Sequence, residues 1–193
     1  MLGLKLATDP RWVDIAQMNI EDILVDHAYC EQKAASTGIS LILQFPERTK
    51  LVEVVAPIVA EEWGHFRMVM KELNKRGFKF GKKRSDNYVV ELQKLERKGD
   101  KIERQLMDKL LVSAIIEARS CERFRLLSEG ILDNDLKEFY HELMISEAGH
   151  YRIFVDLAKE YMPEEEVKQR LDEMLEGEAE IIKKLAIRGD RVH

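Results

Sequence analysis

Two short runs, Glu62-Trp63-Gly64-His65 and Glu147-Ala148-Gly149-His150, repeat one pattern, and that repetition restricts the folds open to this chain more than any other feature. On an α-helix, residues three apart lie on one face about one turn from each other, so each run aims a carboxylate and an imidazole at the same point. A glutamate inside an apolar stretch precedes each run: Glu31 in Tyr29-Cys30-Glu31-Gln32-Lys33-Ala34-Ala35, and Glu117 in Ile115-Ile116-Glu117-Ala118-Arg119. From 31 to 62 and from 117 to 147 the separations are 31 and 30 residues. If two antiparallel helices hold these carboxylates at one depth, the turn between them falls midway, near residues 46 and 132. Phe45-Pro46-Glu47 and Leu132-Asp133-Asn134-Asp135 stand there, and both are breaker or N-cap signals. The spacing therefore predicts two helical hairpins, each with a glutamate on its first helix and Glu-x-x-His on its second.

Composition agrees with a single all-α domain over 1–193. Hydrophobic residues make up 45% and charged residues 35%, and β-branched runs are too short and too few for a sheet. No apolar run approaches the 18 or so residues of a membrane span, and Met1-Leu2-Gly3-Leu4-Lys5 lacks a signal-peptide core, so a cytoplasmic protein with no membrane partner is expected. The net charge of −5 confines any nucleic-acid contact to a local patch.

Thr8-Asp9-Pro10 opens a first helix whose apolar rhythm continues past Gly38 to about Gln44, because a stop at Gly38 would strand Glu31 too near the turn. The second runs from about Glu47 to Arg76, with Pro57 inside it as an expected bend or bulge and Gly77 as its stop. Residues 77 to 99 form one long connection with a short helix from Asn87 to about Arg97, capped by Ser85-Asp86. A crossover of that length can travel back along a four-helix bundle. A third long helix spans about Asp100 to Glu129, a fourth about Asn134 to Tyr161, and an additional C-terminal helix runs from Pro163 to about Ile187.

Glu31, Glu62, His65, Glu117, Glu147 and His150 match the ligand set of di-iron and di-manganese carboxylate proteins: one Glu from each of two helices and Glu-x-x-His from the other two. Structural zinc favours cysteine and calcium favours oxygen alone, so two iron ions are the first choice and manganese the second. The competing reading pairs these groups with one another without metal, at a high cost for six ionisable groups in one core. His27, one turn from Glu31, either orients that ligand or sits as an ordinary core histidine. Cys30 and Cys121 lie within a turn of Glu31 and Glu117, as small buried filler beside the ligands rather than as a disulfide. Glu61, Glu122 and His141 face away from the apolar stripe and stand in reserve. The lack of a Cys-x-x-Cys pair excludes an attached rubredoxin-type module, so electrons would come from a separate donor protein. Lys79, Lys82, Lys83, Arg84, Arg97, Lys98, Lys101 and Arg104 form the densest basic region, either a solvated surface or, with Phe78 and Phe80 between the charges, an RNA contact.

The string Ile116-Glu117-Ala118-Arg119-Ser120-Cys121-Glu122-Arg123-Phe124, the run His27 to Ala35, and the Glu61–Phe66 and Glu147–Tyr151 segments resemble the tRNA hydroxylases that act on 2-methylthio-isopentenyl-adenosine beside the anticodon. The resemblance extends over nearly the whole chain. It implies a ferritin-like four-helix bundle, a non-haem di-iron centre held by the six residues above, and O2-dependent hydroxylation of the isopentenyl side chain of a tRNA substrate. Two other readings stay open on the residues: a rubrerythrin-like peroxide reductase, and a non-enzymatic iron-binding bundle. Monomer and homodimer are both compatible with the sequence.

Overall fold

Proline, glycine and acidic caps punctuate the chain where expected, and every described element between them is a helix. The computed structural model describes residues 2–82, 86–185 and 187–192. It holds α1 (Arg11–Gln17), α2 (Ile20–Gln44), α3 (Thr49–Lys75), α4 (Asn87–Gln93), α5 (Ile102–Gly130), α6 (Asn134–Tyr161) and α7 (Glu164–Lys184), with no strand among the described residues. The chain divides into two compact units, one of Ile15–Ser85 with Arg188–Val192, the other of Met1–Asp14 with Asp86–Ile187.

In the first of these, α2 and α3 pair as a hairpin turned at Phe45-Pro46. The single long first helix expected from the sequence is instead broken at Met18-Asn19 into α1 and α2. Asn19 is the cause: its side-chain amide donates to the Ile15 carbonyl at 2.7 Å and its N–H to Ala16 at 2.9 Å, so local bonds replace the helical ladder. The helix does run through Gly38, which proves to be a packing requirement: a Cβ there would lie 2.5 Å from Val59 Cγ2 on α3. Leu41, Val55 and Ile58 are buried in the same hairpin. α3 continues uninterrupted through Pro57. It ends at Gly77 with φ +72°, where Phe78 N–H bonds the Leu73 carbonyl at 2.9 Å and Gly77 N–H that of Asn74 at 3.1 Å, a Schellman closure. Residues 188–192 return to α2, where the Val192 N–H donates to the buried Asp26 carboxylate at 2.8 Å.

The other unit is built on the α5–α6 pair, with α4 and α7 packed on α5. Asp86 caps α4 by accepting the Val89 N–H at 3.1 Å. α4 stops at Gln93 rather than near Arg97, because Arg97 is drawn off the helix: its N–H and guanidinium donate to Asp108 of α5 at 2.8 and 2.7 Å. Arg170 of α7 adds bonds of 3.0 Å to each oxygen of the same buried carboxylate. α6 has the expected bounds, with the Asp133 side chain accepting the Leu136 N–H at 3.1 Å. α7 ends at Lys184, short of Ile187, and carries three glutamates in its first turn and two lysines in its last, the order its dipole favours.

Candidate metal centre

On the α2–α3 hairpin the periodicity of the two helices turns Glu31, Glu62 and His65 inward, the first two buried and His65 less so. Ligand atoms of the three lie within 4.8 Å of one another. His65 Nδ1 stands 3.7 Å from Glu31 Oε2 and 3.7 Å from Glu62 Oε2. The remaining oxygen of Glu31, Oε1, is 2.6 Å from Nε2 of the fully buried His27. Two helices of one hairpin thus present three donors, with a fourth side chain gripping the first of them.

The α5–α6 hairpin repeats the arrangement. Glu117, Glu147 and His150 are all buried, their ligand atoms again lie within 4.8 Å of one another, and His150 Nδ1 is 3.7 Å from Glu147 Oε2. The recurring 3.7 Å is too long for a hydrogen bond. It suits two ligands of one ion, since bonds of about 2.1 Å to a first-row cation put neighbouring ligand atoms roughly 3.0–3.8 Å apart. Buried carboxylates and imidazoles at that spacing fit metal, and the oxygen-and-nitrogen set without thiolate fits iron or manganese better than structural zinc. Cys121 lies beside this triad with its thiol pushed up to about 11, by burial first and by the Glu147 charge second, so it stays a neutral neighbour.

One constellation escaped the sequence reading. Arg119, two positions after Glu117 on α5, is 0% exposed and binds Glu178 of α7 through Nε at 2.9 Å and Nη2 at 3.0 Å. It also bonds Glu122, the Thr8 hydroxyl at 3.1 Å and the Leu6 carbonyl at 2.9 Å. Thr8 returns a hydroxyl bond of 2.6 Å to Glu122, and Tyr88 of α4 donates to Glu178 at 3.2 Å. Arg123 completes the charge balance, its guanidinium over the Trp12 ring at 4.9 Å and its pKa brought down to about 10 by burial and then by Arg119. The signal was present in the string Arg119-Ser120-Cys121-Glu122-Arg123: four polar or charged residues around one cysteine are too many for a core stripe unless they pair with one another.

Glu122 therefore corrects an expectation. Periodicity turns it away from the apolar stripe, but α5 is buried on its far side as well, and the carboxylate is 2% exposed within the Arg119 network. Glu61 and His141 are exposed, as their periodicity implied, and Cys30 is half-buried with its thiol 3.9 Å from Asp26. Neither cysteine is in a disulfide. Among the basic residues, Lys79, Lys82, Lys98 and Lys101 are exposed, while Lys83 and Arg84 lie outside the described residues. Arg97 is bound to Asp108, and Arg104 Nε to Glu166 at 2.9 Å. No described helix is long and apolar enough to cross a membrane.

A family model described as tRNA-(MS[2]IO[6]A)-hydroxylase (MiaE) matches residues 2–193. The chain belongs to the MiaE family. Within that family it is similar to the tRNA 2-(methylsulfanyl)-N(6)-isopentenyladenosine(37) hydroxylase of Pseudomonas putida, with 35% identity over 91% of this chain and 84% of the relative. The protein of the same description from Salmonella typhimurium is 27% identical over 93% of this chain and 83% of its own. Among solved structures, "Protein 43 with aldehyde deformylating oxygenase activity from Synechococcus" superposes with a TM-score of 0.93 at 32% identity, covering 98% of this chain and 94% of that one. The MiaE-family chain is thus all-α and ferritin-like, as its resemblance implied.

Proposed function

We propose that residues 1–193 act as one ferritin-like domain in which Glu31, Glu62, His65, Glu117, Glu147 and His150 hold two iron ions, and that the protein hydroxylates the isopentenyl side chain of 2-methylthio-isopentenyl-adenosine in tRNA. The observation that carries this reading is the matched pair of buried Glu-x-x-His sets, each with its ligand atoms 3.7 Å apart, in a chain of the MiaE family. Bound ferrous iron would supply the activation of O2, one oxygen atom entering a C–H bond of the prenyl group and the other leaving as water, with electrons from a separate donor protein. The protein's own part is to hold and orient. His27 fixes one oxygen of Glu31, so the ligating face of that carboxylate is set before metal arrives. The surrounding buried apolar residues exclude water, and the neutral Cys121 adds no charge beside Glu147.

The test compares nucleosides of tRNA, by mass spectrometry, from cells with and without the gene and with Glu62→Gln or Glu147→Gln in its place. The expected result is loss of hydroxylated product with the unhydroxylated prenyl nucleoside retained, alongside iron at about two per chain in the purified protein. Unchanged hydroxylation in the deletion would refute the substrate. The likeness to the Synechococcus protein makes an aldehyde the second substrate to assay, and turnover of aldehyde without any change in tRNA would favour that reading.

A further inference from the structure

Within the unit of Ile15–Ser85, the solvent face of α3 carries a feature the metal ligands leave unexplained. Trp63, Arg67, Lys71 and Lys75 recur every four residues, and all four are exposed. From Trp63 to Lys82 the chain has six basic residues, Arg67, Lys71, Lys75, Arg76, Lys79 and Lys82, against the single acid Glu72, which pairs with Arg76. In a protein of net charge −5 this is a local reversal of sign. At its head stands Trp63, 45% exposed although a tryptophan is among the costliest side chains to leave in water.

Trp63 is the open end of an aromatic ladder. Its ring lies 4.9 Å from that of Phe66, Phe66 meets Phe80 edge-on at 5.7 Å, and Phe80 stacks on Tyr29 at 4.3 Å with an interplanar angle of 23°. The Tyr29 hydroxyl donates to the Gly81 carbonyl at 3.2 Å, which fastens the 78–82 segment to α2. The inner rungs are therefore held in place, and the outer one presents a face to solvent. It does so in the same helical turn as Glu62 and as His65, the least buried of the six proposed ligands.

We propose that this stripe is the docking surface for the single-stranded anticodon loop, with an unpaired base stacked on Trp63 and the phosphates following it along Arg67, Lys71 and Lys75. The inference rests on the tRNA reading above and adds to it the residues that grip the RNA. Stacking on an aromatic face is sequence-tolerant, and basic side chains spaced along a helix suit the sugar–phosphate track of an unstacked strand. A base held on Trp63 puts its neighbour in the strand beside the turn that bears Glu62 and His65.

The second tryptophan, Trp12, is 1% exposed, so quenching of the protein's fluorescence by a bound base reports on Trp63 alone. The experiment titrates an unmodified synthetic anticodon stem-loop, dye-labelled for anisotropy, into wild type, Trp63→Phe, Trp63→Ala and Arg67→Gln/Lys71→Gln, each checked for unchanged helicity and iron content. Wild type is expected to show quenching, which Trp63→Phe abolishes while binding within a few-fold of wild type. Trp63→Ala should bind about 5- to 150-fold more weakly. Loss of two phosphate contacts should lower the slope of log affinity against log salt by about 1.4. Undiminished binding by both Trp63→Ala and the double variant, with wild type still binding the stem-loop, overturns the docking surface and leaves the enzymatic reading standing. RNA binding unaffected in the double variant, but with slower reduction by an acidic electron-transfer protein, assigns the stripe to that donor instead. A wild type that neither binds the stem-loop nor changes cellular tRNA overturns both.

Discussion

Replacing Arg119 with methionine removes the cation that holds two buried carboxylates, and the cost can be worked from its contacts. Arg119, itself without exposure to solvent, makes a bidentate pair with Glu178, a further ion pair with Glu122, and bonds to Thr8 and Leu6. Breaking a buried pair by removing one partner costs about 3–5 kcal/mol, most of it the penalty of the charge left behind. Glu122 retains the Thr8 N–H at 3.2 Å and hydroxyl at 2.6 Å, and Glu178 retains the Tyr88 hydroxyl at 3.2 Å, so the lower end, about 3 kcal/mol, applies. For a chain of this size that corresponds to a fall in Tm of about 6–12 °C, measured by circular dichroism on metal-free protein. The double substitution Arg119→Met/Glu178→Met removes one of the two stranded charges, leaving Glu122 with its Thr8 bonds, and should recover part of the loss. A fall under about 2 °C in the single variant, or a double variant less stable than the single, would refute the assignment of this network as a coupled ion pair.

Four further outcomes follow from the same geometry. His27→Phe removes the 2.6 Å contact to Glu31, and iron affinity, read by competition with a chelator, should weaken about 10- to 100-fold with the helical content unchanged. Gly38→Val drives a branched side chain into Val59, where a Cβ alone would already lie 2.5 Å from it, and should lower urea stability by about 1–3 kcal/mol, with partial recovery on adding Val59→Ala. Burial works to raise the Asp108 pKa, but the bonds from Arg97 and Arg170 outweigh it and hold the carboxyl below its ordinary 3.8. Its contribution is therefore complete above that value and lost as pH falls through the lowered one, and Asp108→Asn should flatten the urea midpoint across this acid window. With its thiol near 11, Cys121 is only about 0.1% thiolate at pH 8, so iodoacetamide should modify half-buried Cys30 first and Cys121 only after unfolding.

The hairpin turns and the inward face of the four long helices were legible because metal-ligand spacing and helical period constrain each other: a turn misplaced by a few residues would put Glu31 and Glu62 at different depths. The bounds of α6 followed from Asp133 as a cap and from Pro163 as the start of the next helix, both local signals. What escaped was tertiary. The break at Met18-Asn19 depends on an asparagine choosing its own backbone over solvent, and the early end of α4 depends on an aspartate eleven residues further along the chain. Gly38 was legible as tolerated but not as required, since its reason, Val59, belongs to the facing helix. The Arg119 network needed partners at positions 6, 8, 88 and 178, and no periodicity within α5 points to them.

From Glu117 to Phe124 every side chain of α5 is buried, so this stretch of helix has no solvent-facing position. Ordinarily a surface helix can drift in sequence along its wet side while conserving its dry one; here neither side is wet. Any replacement in those two turns meets a packed neighbour, a charge partner or a proposed ligand, so random mutagenesis scored for folded, metal-loaded protein should return these positions nearly unchanged while sampling freely on the outer face of α7.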